Sequence, residues 1–294
     1  MRWSAVLLTA LAGLTLAGWR NSRAEPVVRT ATIALADWPT GASPLRVLLL
    51  ADLHLGNGST DAARLARVVD QVDGLRPDLI LLAGDLVAGY GAQAAASQAG
   101  ILRAQLGRLH PPLGIVAVMG NHDNETDPAL LARTLRDAGA TVVENGAVRR
   151  GPLLIGGSGD TVSGHAKLGG TLNALRRLTS AAPGARIYLS HSPDIVRWLT
   201  PGPSLLLAGH THCGQVVVPL LERLMPVSTV NGNRYRCGLI RDGARTVIVT
   251  AGIGTSNVPL RFGAPPDMWL LTLGPVRAPD TPRRPQSTAA APRR

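Results

Sequence analysis

From residue 45 onward, short apolar runs alternate with amphipathic stretches along the chain, which is the pattern of an α/β protein. The apolar runs have the length of buried strands and cover residues 47–50, 79–83, 115–119, 187–189 and 205–208. Helical spacing of apolar residues predicts helices over residues 61–75, 94–109, 128–138, 172–180 and 194–199. Ser59 or Thr60 is the expected N-cap of the first helix, and Asp127 before Pro128 marks the start of the third.

After residue 209 the pattern changes to short strands and turns. Two runs over residues 235–240 and 245–250 flank a turn at 241–244, which predicts a hairpin. A last strand is predicted over residues 268–273. Repeated strand–helix units followed by antiparallel strands indicate mixed sheets covered by helices.

These patterns divide the chain into four segments. They are a hydrophobic signal or membrane-anchor segment (1–24), a linker (25–44), one folded domain (45–274) and a disordered, basic, Pro/Ala-rich tail (275–294). The N-terminal apolar stretch has the length of a signal-peptide core and is short for a membrane span. Small residues around Ala24 would suit cleavage and export. Arg20, Arg23 and Arg29 would instead keep the domain cytoplasmic if the segment stays as an anchor. Membrane association is favoured, and the membrane side remains open.

The net charge of +11 comes almost entirely from scattered arginines, because Lys167 is the only lysine. No basic stripe interleaved with aromatic residues is present, so sequence-specific nucleic-acid binding is disfavoured. Attraction to anionic lipid head groups accounts for the charge equally well.

Cys213 and Cys237 make no disulfide framework and no cysteine zinc site, and Cys213 is interpreted as a small residue in a tight turn. Contact of Cys213 with a bound metal is the alternative.

Potential metal ligands follow each of the five apolar runs. They are Asp52 and His54, Asp85, Asn121 with His122 and Asp123, His191, and His210 with His212. Such residues at successive strand ends meet along one edge of a sheet. Carboxylate, imidazole and amide donors suit Zn, Mn or Fe. The Asp-x-His spacing would let two alternate strand residues face one ion, and Asp85 is the natural bridge between two ions.

In this order the motifs D-x-H, G-D, G-N-H-(D/E), a later His and G-H-x-H resemble the calcineurin-like metallophosphoesterase family over residues 45–275. The resemblance implies an α/β fold, a four-layer α/β/β/α sandwich with two mixed sheets, and two divalent metal ions as cofactors. It further implies one ion held by Asp52, His54, Asp85 and His212, and a second by Asp85, Asn121, His191 and His210. His122 would be the general acid.

Two positions depart from the family pattern. Many members carry an aspartate that orients the catalytic histidine where this chain has Ala88, and Asp123 or a backbone carbonyl is the expected substitute. Phosphoprotein phosphatases of the family carry arginines where this chain has residues 86–90 and Met119, so protein phosphatase activity is disfavoured. Arg261 is a candidate phosphate contact, with a solvated arginine as the alternative.

The resemblance is strongest to the bacterial membrane-linked branch, which includes phosphodiesterases and UDP-2,3-diacylglucosamine pyrophosphohydrolases. The predicted function is hydrolysis of a phosphodiester or pyrophosphate by a metal-bound hydroxide. A phosphorylated small molecule or a lipid-linked compound such as UDP-2,3-diacylglucosamine is the expected substrate. The alternatives are an exported broad-specificity phosphodiesterase or nucleotidase, and a metal-binding, membrane-associated scaffold that has lost catalysis.

Overall fold

The computed structural model describes residues 2–199, 204–217 and 226–276. The helices of this part are α1 (Arg2–Ser22), α2 (Ala62–Leu75), α3 (Gly91–Leu106), α4 (Asn121–Glu125), α5 (Pro128–Asp137) and α6 (Leu168–Ala181). Two 3₁₀ turns cover Pro193–Trp198 and His212–Gly214. The strands are β1 (Val27–Leu35), β2 (Leu45–Leu50), β3 (Leu79–Ala83), β4 (Ile115–Val118), β5 (Ala140–Val142), β6 (Gly146–Arg150), β7 (Leu153–Gly157), β8 (Ala185–Leu189), β9 (Leu205–Ala208), β10 (Gly238–Asp242), β11 (Arg245–Val249) and β12 (Asp267–Pro275).

The strands form two six-stranded mixed sheets. The first has the order β1-β12-β2-β3-β4-β5, and all its neighbours are parallel except the antiparallel pair β12 and β2. The second has the order β10-β11-β9-β8-β7-β6, with parallel strands in the centre and an antiparallel pair at each edge. The parallel strands β2, β3, β4, β8 and β9 carry the predicted ligand motifs at their carboxyl ends.

Alternation along the central strands creates three apolar cores. On β2, Leu49 faces the second sheet, where it joins a core with residues such as Leu207 of β9. Leu48 and Leu50 face the opposite way and pack with α2, α3 and α5. On the far side of the second sheet, Leu206 packs with α6 and the first 3₁₀ turn. Because each sheet buries both faces, the layers follow the order α/β/β/α, and the predicted four-layer sandwich is confirmed.

The helices predicted from periodicity are present, with changes at their ends. Asp61, rather than Ser59 or Thr60, caps α2, because its carboxylate accepts a hydrogen bond from the backbone N–H of Arg64. Asp127 caps α5 as predicted, with Pro128 in the first turn. The stretch predicted as a helix at residues 194–199 is a 3₁₀ turn. The hairpin is confirmed as β10 and β11.

The linker predicted for residues 25–44 is wrong, because much of it is strand β1. This strand pairs along its whole length with β12, and the Arg29 side chain forms an ion pair with the buried carboxylate of Asp267. Pro26 near one end of the segment, and Pro39, Gly41 and Pro44 near the other, predict a linker. The strand's pairing partner lies more than 200 residues away in sequence, and local pattern cannot reveal it.

The interpretation of Cys213 as merely a small residue in a tight turn is also wrong. Cys213 and Cys237 are bonded to each other.

The predicted tail at residues 275–294 lies outside the described residues from residue 277 onward. Among the helices of the described ranges, none combines the length and apolar character needed to cross a membrane.

Candidate active site

The seven predicted metal ligands converge where the two sheets meet at the carboxyl ends of their central strands. Each follows its strand directly, so the first sheet supplies one half of the cluster and the second sheet the other half. Those of the first sheet are Asp52, His54, Asp85 and Asn121, and those of the second are His191, His210 and His212. All are buried except His210, which is partly exposed. The sandwich therefore brings together residues that are up to 160 positions apart in sequence.

The backbone at these positions is unusual. Asp52, His54, Asp85, His210 and His212 have φ values of 54°, 42°, 53°, 69° and 49°. A left-handed conformation is unfavourable for residues with a Cβ, and it concentrates at functional sites that the surrounding structure holds in place. Asp52 and His54 do face one point together, but they do so from a turn after β2 rather than from alternate strand positions, as the spacing had suggested.

Glycines allow the ligand loops to approach one another closely. A Cβ on Gly84 would lie 2.5 Å from the backbone nitrogen of Gly120, and a Cβ on Gly209 would lie 2.5 Å from a carboxylate oxygen of Asp52. Gly84 also has a φ of +80°. The glycines in the motifs are thus required for the close approach of four loops, and a side chain at either place would push the ligands apart.

The first ligand group consists of Asp52, His54 and His212. Their donor atoms lie within 4.8 Å of one another. The Nε2 atoms of His54 and His212 are 3.1 Å apart, and His212 Nε2 is 3.8 Å from Asp52 Oδ1. Asp85 Oδ2 approaches His54 Nε2 to 3.5 Å, so its carboxylate also borders this group.

The second group consists of Asp85, His191 and His210, again within 4.8 Å. His191 Nε2 lies 3.3 Å from Asp85 Oδ2, 3.1 Å from His210 Nδ1 and 3.1 Å from Asn121 Oδ1. The same Asp85 oxygen therefore borders both groups. Its position is that of a carboxylate shared between two ions.

The donor sets fit two divalent metal ions. Ligand atoms at about 2.1 Å from an ion are separated by roughly 3.0–3.4 Å in octahedral or tetrahedral geometry. The separations of 3.1–3.8 Å between neighbouring donors here are close to that range. Imidazole, carboxylate and amide donors match Zn, Mn or Fe, and the residues present could hold such ions.

The pKa shifts of the buried site residues also favour the binding of cations. Burial, together with the charge of Asp85, raises the pKa of Asp52 to about 8. Burial lowers the pKa of His54 to about 4, and burial with the nearby charge of His191 does the same for His210. Burial opposes charge on Asp85 and His191 as well, but their mutual attraction outweighs it, so the pKa of Asp85 is lowered and that of His191 is raised. In the metal-free protein, protons on Asp52 and His191 thus supply the positive charge that metal ions would otherwise supply beside the carboxylates.

His122 lies at the rim of the first group. A ring nitrogen of His122 lies within 4.8 Å of donor atoms of His54 and Asp85. Its ring packs edge-on against His54 at a centroid distance of 4.9 Å, and Tyr90 covers it at 5.5 Å. The backbone N–H of His122 donates to Asp85 Oδ1 at 2.9 Å. This placement leaves the imidazole beside the ligands with one side toward solvent.

The structure does not support the catalytic role predicted for Asp123. Its two carboxylate oxygens accept hydrogen bonds from the backbone N–H groups of Leu86 and Gly120, at 2.8 and 2.9 Å. The residue is fully buried, and burial beside the charge of Asp85 raises its pKa to about 7. Asp123 therefore joins the G-D loop to the G-N-H loop and does not orient the His122 ring.

The role predicted for Arg261 as a substrate contact is likewise corrected, because its side chain is fully buried. The guanidinium donates to the backbone carbonyls of Ala251, Gly254 and Ala264 at 2.6, 2.6 and 2.9 Å. It also lies 3.3 Å from Nδ1 of His212. Burial lowers its pKa to about 10, so it stays charged at neutral pH. Arg261 therefore supports the loop behind His212. A charged residue type normally indicates exposure, so the sequence did not reveal this role.

Comparison with known proteins identifies the family of the chain. The model of the calcineurin-like phosphoesterase family matches residues 45–214, and the chain belongs to this family. Phosphodiesterase YaeI of Escherichia coli K12 is 32% identical over 252 residues, which cover 81% of this chain and 86% of YaeI. The metallophosphoesterase YkuE of Bacillus subtilis is 30% identical over 244 residues, covering 80% of this chain and 81% of YkuE. The chain is thus a metal-dependent phosphoester hydrolase.

More distant similarities are also found. A transmembrane protein with metallophosphoesterase domain from Danio rerio is 29% identical over 280 residues, covering 88% of this chain and 60% of that protein. This chain therefore spans about three fifths of the length of that relative. Among solved structures, a 5'-nucleotidase precursor from Thermus thermophilus has a TM-score of 0.48 at 16% identity, over 78% of this chain and 55% of that one. A dimetal phosphatase from Danio rerio has a TM-score of 0.46 at 14% identity, over 72% and 88%.

Proposed function

We propose that this protein hydrolyses phosphodiester or pyrophosphate bonds with two divalent ions held by the two ligand groups. The sharing of one Asp85 oxygen between both groups is the observation that carries the proposal. Ions bound there would supply Lewis-acid stabilisation of the phosphoryl oxygens and a water of lowered pKa. His122, at the rim, would donate a proton to the leaving oxygen.

A diester fits the site better than a phosphate monoester does. A monoester carries a second negative charge, which phosphoprotein phosphatases of the family meet with arginines at positions that here hold residues 86–90 and Met119. The guanidinium of Arg261 is buried and bonded to carbonyls, so it presents no donor to a substrate. The substrate phosphate would therefore be held mainly by the ions.

The experiment uses the full chain, because β1 begins at Val27 and an N-terminal truncation within it would break the first sheet. The protein is stripped of metal, reloaded with Mn²⁺ and assayed with bis(p-nitrophenyl) phosphate and p-nitrophenyl phosphate. We expect turnover of the nitrophenyl diester to exceed that of the monoester and to vanish with chelator. For diphenyl phosphate, whose phenol leaving group is more basic and needs the acid, we expect His122→Ala to lower turnover about 100-fold with metal content unchanged. Two bound ions without turnover of any diester or pyrophosphate would overturn the proposal.

Helix α1 supports a lipid-linked substrate as the finer assignment. Its side chains Leu7, Leu8, Leu11 and Leu14 are 59–70% exposed, which is unusual for a helix facing water. Its carboxyl end contacts the loop that lies behind His212, since Gly18 accepts a hydrogen bond from the backbone N–H of Arg261. If the proposal holds, the protein sediments with phosphatidylglycerol vesicles, and Leu7→Ser with Leu11→Ser abolishes this. Retention of the double variant on vesicles would contradict it.

The disulfide favours the exported alternative over a cytoplasmic one. Disulfides persist in oxidising compartments and are rare in the cytosol, where thiols are kept reduced. The bond between Cys213 and Cys237 thus supports a broad phosphodiesterase or nucleotidase acting outside the cytoplasm. Thiol labelling of the protein in its native cells decides this: unreactive cysteines that become reactive after reduction would support export, and freely reactive cysteines would favour the cytoplasmic UDP-lipid substrate.

A further inference from the structure

The imidazole of His122 lacks a hydrogen-bond partner where a proton donor needs one. Its Nδ1 atom is buried and makes no hydrogen bond within the described part of the chain. A general acid transfers its proton from one ring nitrogen, and a partner on the other nitrogen fixes the tautomer and the ring orientation. The two groups expected to supply this partner do not do so. Position 88 is an alanine, and the carboxylate of Asp123 is bonded to backbone N–H groups.

Glu125 is the carboxylate nearest to this nitrogen in ion-pair range. Its Oε2 atom lies 3.9 Å from Nδ1 of His122. Both residues belong to α4, three positions apart, so their side chains project from the same face of the helix. The Glu125 side chain is 41% exposed, and a movement of about 1 Å would bring it to hydrogen-bond distance.

The surroundings of the ring favour contact with Glu125 over water. Tyr90 covers one side of the His122 ring, and the ring of His54 packs against another, so access to Nδ1 is narrow. The side chain of His122 is only 11% exposed. In such a half-enclosed position a hydrogen bond from the imidazole to a carboxylate stabilises the ring orientation more than it would at an open surface.

We propose that Glu125 is the positioning residue of His122, and that it replaces the aspartate absent at position 88. Its carboxylate accepts a hydrogen bond from Nδ1–H and thereby fixes the orientation of the ring. Nε2 then carries the proton that passes to the leaving oxygen as the phosphorus–oxygen bond breaks. The imidazole regains a proton from solvent, so the cycle is balanced. This inference rests on the proposed role of His122 as the general acid.

The first test compares leaving groups, because a weakly basic leaving group needs little help from an acid. The Mn²⁺-loaded full chain and its Glu125→Gln variant are assayed with bis(p-nitrophenyl) phosphate and with diphenyl phosphate, whose leaving phenol is more basic. We expect kcat for diphenyl phosphate to fall about 10–100-fold, and kcat for the nitrophenyl diester to change about twofold or less, with KM and metal content unchanged. Glu25→Gln is the matched control, since Glu25 forms an exposed ion pair with Arg67, and it should change neither rate.

A second measurement separates this inference from the proposed function. NMR of isotope-labelled histidine in the metal-free protein reports the tautomer of His122. We expect the form protonated on Nδ1 in the wild type and a mixture in Glu125→Ala. Equal rate losses on both diesters, unchanged rates, or an unchanged tautomer would overturn the role of Glu125. A wild type that binds two ions and hydrolyses neither diester would overturn the proposed function, and the tautomer would still decide whether Glu125 holds the ring.

Discussion

The metal ligands and the proposed general acid lie at the same strand ends, but the fold holds them differently. His191 is fully buried, and its Nδ1–H donates to the carbonyl of Ala83 at 2.7 Å. His212 has the buried guanidinium of Arg261 behind it. His122, in contrast, has a buried ring nitrogen without a hydrogen bond in the described residues, and its nearest carboxylate, on Glu125, is partly exposed at 3.9 Å.

The contrast indicates which part of the chemistry needs rigid geometry. Metal–ligand distances tolerate deviations of only a few tenths of an ångström, so the ligands are locked by left-handed turns, glycine contacts and buried partners. A proton donor acts once the substrate is bound, and its hydrogen bonds often tighten only then. A loosely held acid beside a rigid metal site is therefore a workable arrangement. The predictions below test this contrast, beginning with the largest effect.

Removal of a ligand should have the largest effect. His191→Ala deletes a donor that borders Asp85, Asn121 and His210, so we expect loss of bound metal and a decrease in kcat/KM of at least about 1,000-fold, or ~4 kcal/mol. Metal analysis and diester kinetics measure both. His165→Ala is the matched control, because His165 is exposed and outside the ligand groups. Full metal content in His191→Ala would contradict the assignment.

Removal of the disulfide should have the next largest effect, a decrease in the free energy of unfolding. It closes a loop with a sequence separation of 24 beside His212, and cross-linking a loop of this length contributes about 3.5 kcal/mol in the chain-entropy model. Cys213→Ser with Cys237→Ser should lower the free energy of unfolding in urea by about that amount. Reductant should destabilise the wild type equally and leave the double variant unchanged. Insensitivity of the wild type to reductant would show that the bond is not formed.

Loss of the buried guanidinium should lower the free energy of unfolding by about 3 kcal/mol. Arg261→Met leaves the carbonyls of Ala251, Gly254 and Ala264 without their donor, and unpaired buried carbonyls are costly. We expect a lower melting temperature and weaker metal binding. Arg108→Met, at an exposed ion pair with Asp70, should change stability by less than about 1 kcal/mol. An increase in KM with stability unchanged would instead restore the substrate role of Arg261.

The smallest effect concerns pH. The pKa of Asp52 is raised to about 8 in the metal-free protein, and that of His191 is raised in the same direction. Both groups must lose a proton to bind a metal ion, so affinity should rise with pH and fall by up to about tenfold per unit below pH 8. Calorimetry in buffers of different ionisation enthalpy should show proton release on Mn²⁺ binding at pH 7. Proton-independent binding would show that these groups are not ligands.

Much of the fold and of the ligand set could be predicted from local patterns. Strands such as β3 and helices such as α2 are recognisable from apolar runs and periodicity, because burial acts on neighbouring positions. The ligand motifs are visible for the same reason, since each directly follows its strand. Strand β1 was missed, because its pairing with β12 depends on residues more than 200 positions away.

The two wrongly assigned site residues share one cause. Arg261 and Asp123 carry charges that normally indicate exposure or catalysis, yet both are fully buried and bonded to backbone groups. Whether a charged side chain meets solvent or a carbonyl is decided by the loops that fold around it. The sequence pattern around Arg261 and Asp123 does not show which groups will surround their side chains.

Side-chain chemistry and short-range spacing were enough to predict the strands that carry the ligand motifs, most of the helices, the potential ligands and, through the order of the motifs, the resemblance to the family. Three contacts came from the folded molecule alone: one oxygen of Asp85 borders both ligand groups, Cys213 meets Cys237, and Glu125 faces His122. These contacts are set to within an ångström by the packing of two sheets and their loops. Spacing along a chain does not encode such distances until the core has formed.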